Sequence, residues 1–450
     1  MKKSYVSILL TLSILLLIII ALPVAAQDAT PYPTQTPYPT QTAYPTFTPV
    51  GEADAPPPPP SDDNNVPDGA VEDDNGGLKF GDPDVEWAFA NQSYLSRYPD
   101  GMTFEIDVQS SAGTIESARV VFSHAPRSQS TANADILNSE TGEMIAEWDH
   151  TSGNRPPWLA VNYYWEVTDS EGNMYRTPTA EEEYEDTTRE WLRAESEDIV
   201  VIANGLPEDA LEMSISAMQT QRETFRAAWG DLLPFKPHVV LFGTRDVWEE
   251  WQEGIVRQTV IGTTNLTWGA TVQLVSGNDL NDMAFGTVPH EIAHLYQAWF
   301  APVGFSSGWM LEGNATFFEF SQQYDYEGRV RNAAAQGLLP PLMNGTGPNP
   351  AGTGPDGGGR WGYDVGFTFF KWFVQNYGLE GHRELVELLG STSVSRNEAF
   401  EIITGLSVDE IETQWREWLG AEGPAPTIAP TWTPARLPSP TPFMIPTQPE

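Results

Sequence analysis

The chain has 450 residues, no cysteine, and a formal net charge of -39 from 62 acidic against 23 basic residues. Disulfides, thiolate metal ligands and a cysteine nucleophile are therefore excluded, and any metal site must be built from His, Asp and Glu. Nucleic acid and anionic membrane surfaces are excluded as partners too, because both require a cationic face.

Two lysines, an apolar run from Ile8 to Leu22, and small residues at Val24 and Ala26 mark 1–26 as a signal peptide. The alternative is an uncleaved anchor, since the run is nearly long enough to span a bilayer. Either way the rest of the chain is expected outside the cytoplasm, secreted or tethered to a membrane or cell envelope. Residues 27–77 repeat a hexapeptide from Thr30, then run through Pro56 to Pro60 into an acidic, Gly-rich stretch. So few apolar side chains cannot offset the entropy of ordering the backbone, which predicts a disordered Pro/Thr-rich stalk. Residues 423–450 have the same character and predict a disordered tail.

Between 78 and 180 the pattern has period two. Phe104, Ile106 and Val108 alternate with polar residues, and so do Leu159, Val161, Tyr163, Trp165 and Val167, followed by a turn at Asp169-Ser-Glu-Gly-Asn. Short alternating strands with frequent turns predict an all-β, immunoglobulin-like sandwich. Its chemistry is silent. His124 and His150 are isolated and read as surface or loop histidines.

From 190 to 422 the pattern changes. Strands are expected at Ile199–Ile202, His238–Phe242 and Thr271–Val275, with a helix after Pro207 and a short one from Asp246. Helices then dominate, and the last opens with a capping box at Ser407 and Glu410. A small mixed sheet followed by a helical half makes this an α+β domain.

Residues 290–294 read His-Glu-Ile-Ala-His. On a helix, positions i and i+4 lie on one face, so His290 and His294 can grip one Zn2+ ion. Glu291, rotated off that line by about 100°, stays beside the ion, where it can serve as a general base. A catalytic zinc takes three protein ligands and keeps one position open. The compact metzincin solution needs Gly and His where this chain has Gln297 and Phe300. The other solution is a Glu on the next helix, and Trp309-Met-Leu-Glu-Gly-Asn supplies Glu312. An acid inside an aromatic helix is expensive to bury without a compensating positive charge.

The pair His-Glu-x-x-His and Trp-x-x-Glu-Gly resembles the gluzincin metallopeptidases, which include thermolysin and the zinc aminopeptidases. It looks closest to the bacterial peptidase-MA-like proteins of that clan. The resemblance implies a gluzincin-like fold over 190–422, a peptide or protein substrate, His290, His294 and Glu312 as zinc ligands, and Glu291 as general base. It further implies that Gly269–Leu274 is the edge strand with which substrate backbone pairs. The clan stabilises the oxyanion with a Tyr or His, and Tyr363 is the candidate here.

Two positions depart from the family pattern. Pro289 directly precedes the first histidine, so the helix is expected to begin near Thr287 or to kink there. Thr316 stands where thermolysin-like enzymes carry an Asp that orients a histidine, which leaves Glu319 or Asp364 to do so. His382 reads as a capping or surface histidine. The Gly-rich stretch 337–359 reads as a loop or a lid. A non-catalytic envelope or adhesion protein retaining a peptidase fold is the competing reading. A purely structural zinc lacks an evident fourth ligand.

Overall fold

The computed structural model describes residues 69–421 except 151–154, 253–261, 276–279, 303, 306, 344–346 and 392. The expected signal peptide, nearly all of the stalk, and the tail lie outside the described residues. No helix among those residues is long and apolar enough to cross a membrane.

The first ten strands are β1 (Ala70–Glu72), β2 (Leu78–Phe80), β3 (Trp87–Arg97), β4 (Gly101–Ser110) and β5 (Ile115–Ser123), then β6 (Ser130–Asn138), β7 (Glu143–Asp149), β8 (Ala160–Asp169), β9 (Met174–Arg176) and β10 (Ala180–Glu183). Among the described residues they pair antiparallel in the order β1-β2-β9-β8-β5-β6-β7-β4-β3, with β10 beside β8. β1 falls inside the stretch read from sequence as stalk. The sheet curls because β6 is shared. Its first half pairs with β5 and its second half with β7. That brings Phe104 of β4 within 5.9 Å of Phe122 on β5 and 4.9 Å of Tyr163 on β8, ring centre to ring centre. The alternation along β4 and β8 is that of a half-buried strand, with Phe104, Val108, Val161 and Trp165 fully buried.

The second sheet has the order β11-β12-β13-β15-β14, made of β11 (Leu192–Glu195), β12 (Val200–Asn204), β13 (His238–Phe242), β14 (Gly262–Asn265) and β15 (Ala270–Leu274). β12, β13 and β15 run parallel; β12 and β13 carry apolar residues on both faces, as doubly covered parallel strands do, whereas one face of β15 carries the buried Thr271 and Gln273. One face, with Val239 and Leu241, packs against α1 (Glu208–Trp229) and the helical half. The other, with Val240, Phe242 and Val272, meets Tyr98 and Trp158 of the first sheet region and Trp248 of α2 (Arg245–Glu250).

One expectation needs correction. The strand at Gly269–Leu274 is not an edge. β15 lies between β13 and β14, and among the described residues β14 is the edge on that side. A turn closed by Gly269, whose φ is +62°, folds β14 back antiparallel onto β15. The segment Gly-Thr-Thr-Asn has no apolar alternation, so sequence periodicity could not reveal it.

The helical half comprises α3 (Leu280–Asp282), α4 (Val288–Phe300), α5 (Gly308–Phe317), α6 (Tyr326–Ala335), α7 (Trp361–Gly390), α8 (Arg396–Thr404) and α9 (Val408–Leu419). α9 opens with the expected capping box of Ser407 and Glu410. α5 and α7 cross at Gly313 and Gly366. A Cβ on Gly313 would lie 2.3 Å from the Gly366 Cα, so neither position admits a side chain at this separation.

The chain between α6 and α7 is anchored from α9. The buried Glu412 accepts hydrogen bonds from the backbone N–H of Leu342 and Met343 and pairs with Arg416 at 3.0 Å. Removing one partner of a buried ion pair leaves the other charge uncompensated, so Glu412→Ala should cost about 3–5 kcal/mol of stability. Denaturant unfolding followed by tryptophan fluorescence checks this; a loss below about 1 kcal/mol would contradict it.

Candidate metal centre

α4 carries three of the residues singled out from sequence. It begins at Val288, with Thr287 at the N-cap position as expected, but Thr287 is itself helical and a π-helical turn at Met283–Thr287 links α3 to α4 without a break. Pro289 has no N–H for the carbonyl of Phe285, four residues back. That carbonyl accepts instead from the backbone N–H of Phe320 and Ser321, at 2.7 and 3.0 Å. The proline thus ties the segment following α5 to the helix that carries His290 and His294, and that segment carries Glu319.

His290 and His294 stand one turn apart with ring centres 4.9 Å from each other. α5 brings Glu312 opposite them. Its Oε2 lies 3.3 Å from His290 Nε2 and 3.4 Å from His294 Nε2. The three side chains form the one His/Cys/Asp/Glu cluster with metal-ligand spacing among the described residues, with donor atoms within 4.8 Å of one another. Donors about 2.1 Å from a tetrahedral ion are themselves about 3.4 Å apart. The spacing of both nitrogens from the carboxylate oxygen therefore fits a divalent ion, and so does the mixed N/O donor set.

The outward nitrogens are held as firmly. His290 Nδ1 is 2.9 Å from Glu319 Oε1, and His294 Nδ1 is 2.7 Å from Gln297 Oε1. Each imidazole donates from Nδ1 to these acceptors, which leaves both Nε2 atoms facing Glu312. Glu319 also accepts from Tyr326 Oη at 2.9 Å and from Arg360 at 3.3 Å. Of the two candidates for orienting a histidine, Glu319 does so. Asp364 instead receives Arg329 at 2.6 Å and Tyr324 Oη.

Gln297 had no role in the sequence reading beyond marking an absent glycine. In the fold it donates to Leu311 O and to Asn314 Oδ1, and Asn314 in turn bonds His382 Nε2 at 2.7 Å. His382 is therefore neither a cap nor a surface residue. It is fully buried, and its Nδ1 donates to Ala228 O. His124 is likewise buried, with Nδ1 bonded to Ala160 O beside Arg155. All of these partners are distant in sequence, so no local pattern could have exposed them.

Tyr363, in the first turn of α7, stacks on His290 at 5.8 Å beside the Glu312 carboxylate. Burial, reinforced by the Glu312 charge, pushes its hydroxyl well above the ordinary tyrosine value, so it stays a donor. The Arg360 guanidinium lies 4.4 Å over the same ring. On the other side of α4, Thr264 of β14 donates to the Glu291 carboxylate at 2.5 Å. The described part of the Gly-rich stretch is tied down: Arg329 grips Asp356, Gly358 O and Gly359 O.

No family model matches the sequence, and no curated protein matches it. Among solved structures, an M1 zinc metallopeptidase from Deinococcus radiodurans overlaps at 14% identity, covering 71% of this chain and 90% of that one, with a TM-score of 0.31. A two-domain M1 zinc metallopeptidase variant bound to L-arginine overlaps at 14% identity over 74% and 92%, with a TM-score of 0.30. A polysaccharide deacetylase from Bacillus cereus does so at 8% identity over 47% and 78%, with a TM-score of 0.16. Overlaps this loose carry no weight for fold or chemistry, which rest on the residues described.

Without metal the centre is an ion pair. Burial works against a charged imidazole, but the bonds to Glu312 and Glu319 outweigh it and push His290 up to about 9. Burial would raise Glu312, yet the two histidines hold it well below the carboxylate range. Below about 9 His290 therefore carries a proton that a metal must displace. Zinc titration of the metal-free protein at pH 7 should release about one proton from this residue, with the release fading as pH passes 9. Calorimetry in buffers of different ionisation enthalpy measures this; uptake without proton release would contradict it.

Proposed function

We propose that the chain is a zinc-dependent metallopeptidase that hydrolyses peptide bonds outside the cytoplasm. The observation that carries this is the convergence of two imidazole Nε2 atoms and one carboxylate oxygen at 3.3–3.4 Å, with the Glu291 charge close enough to act on His290. His290, His294 and Glu312 would hold the ion. When bound, zinc supplies Lewis acidity and brings water near neutral pKa.

The chain's own residues supply the rest. Glu291 takes the proton of the attacking water and returns it to the leaving amine. Tyr363, kept protonated by its surroundings, donates its hydroxyl to the oxyanion of the tetrahedral intermediate. Glu319 and Gln297 hold the two imidazoles in the tautomer that points Nε2 inward. The side of β14 that no described strand pairs would accept an extended peptide as an added strand, reading backbone rather than side chain.

The same proposal places an immunoglobulin-like module in the first sheet region, acting in substrate binding or positioning. Export through the N-terminal segment, with a membrane or cell-envelope tether as its alternative outcome, belongs to it as well. An acidic chain of charge -39 leaves no part for nucleic acid.

Cleavage of a mixed peptide library with and without chelator tests the proposal, and absence of any chelator-sensitive cleavage would sink it. Glu291→Gln should keep zinc and lose about 10²–10⁴-fold in kcat. Tyr363→Phe should keep zinc and substrate affinity while kcat falls about 10²–10³-fold. An unaffected kcat would return Tyr363 to a packing role.

A further inference from the structure

Glu291 is held from the sheet as well as by its own helix. Gly262 and Thr264 are two residues apart on β14, so they face the same side of the strand, towards α4. Their partners in β15 are Gln273 and Thr271. The Thr264 hydroxyl donates to Glu291 Oε2 at 2.5 Å and approaches the Glu291 carbonyl at 3.3 Å. The other carboxylate oxygen, Oε1, lies against Gly262. A Cβ built there would sit 2.7 Å from it. Both oxygens are thus placed by the edge strand, one by a donor and the other by the absence of a side chain.

We infer that Thr264 and Gly262 are positioning residues for the general base, coupling the substrate-pairing strand to Glu291. This rests on the peptidase reading. With Oε2 committed to the threonine hydroxyl, Oε1 is the oxygen left to take the proton of water and give it up to the amine. Gly262 leaves that oxygen clear. Its φ is not in the left-handed region, so alanine is compatible with the backbone there, and only the Glu291 carboxylate is in the way. Gly262→Ala therefore displaces the base without altering it.

The test uses the zinc-loaded full chain and a peptide it cleaves. A hydrogen bond to a charged group sets the scale, so Thr264→Val should lose roughly ten- to a hundredfold in kcat. KM and zinc content should stay as in the wild type. Thr264→Ser should restore the rate, and Gly262→Ala should lower kcat with zinc content intact.

A second readout needs no activity. In unfolding of the metal-free protein, Thr264→Val and Glu291→Ala should be non-additive, the double variant losing less than the two singles together. Additive losses, or wild-type kcat in Thr264→Val, overturn the assignment. A wild-type chain that binds zinc and cleaves no peptide overturns the peptidase reading, and this role with it.

Discussion

Glu312 puts a negative charge into a buried aromatic helix, and the surrounding residues are arranged around that charge. A carboxylate taken out of water without a positive partner is too costly to keep ionised. Here two imidazoles face it at 3.3 and 3.4 Å, and in the absence of metal His290 carries the compensating proton. A divalent ion held there would do the same work with more charge and shorter bonds, taking the place of the proton.

The position of that carboxylate depends on backbone contacts some distance from the chemistry. Glu312 is followed by Gly313, and the Gly313–Gly366 approach is what lets α5 lie against α7. One turn of α7 from that crossing stands Tyr363, stacked on His290. Pro289 adds a second tie, because the Phe285 carbonyl it leaves free anchors the segment that carries Glu319. Gln297 adds a third, through Asn314 to His382 and the end of α1. Glu312, Tyr363 and the acceptors behind both histidines are therefore placed by separate elements that meet only in the folded chain.

What was legible in the sequence was whatever a short repeat length can express. The spacing of His290 and His294, the strand at His238–Phe242 and the capping box at Ser407 each depend on residues within a few positions of one another. Glu312 was legible because an acid flanked by Trp309 and Phe317 is chemically conspicuous. The edge strand was misplaced because β14 has no hydrophobic pattern and is defined only by its pairing with β15. The start of α4 beside Pro289 was legible, but the π-helical turn that joins it to α3 was not, because a single proline reads locally as a boundary. His382 was passed over because its partners lie 68 and 154 residues away, and Gln297 because the contacts that fix it against His294, three residues back, lie 14 and 17 residues away. Local periodicity carries no trace of such contacts.

X-ray absorption at the zinc edge of the loaded protein tests the central claim most directly. One zinc per chain with only N/O donors at about 2.0–2.1 Å, and outer-shell scattering from two imidazole rings, is the predicted result. A folded sample that takes up no stoichiometric zinc, or a spectrum with a different number of imidazoles, would contradict it.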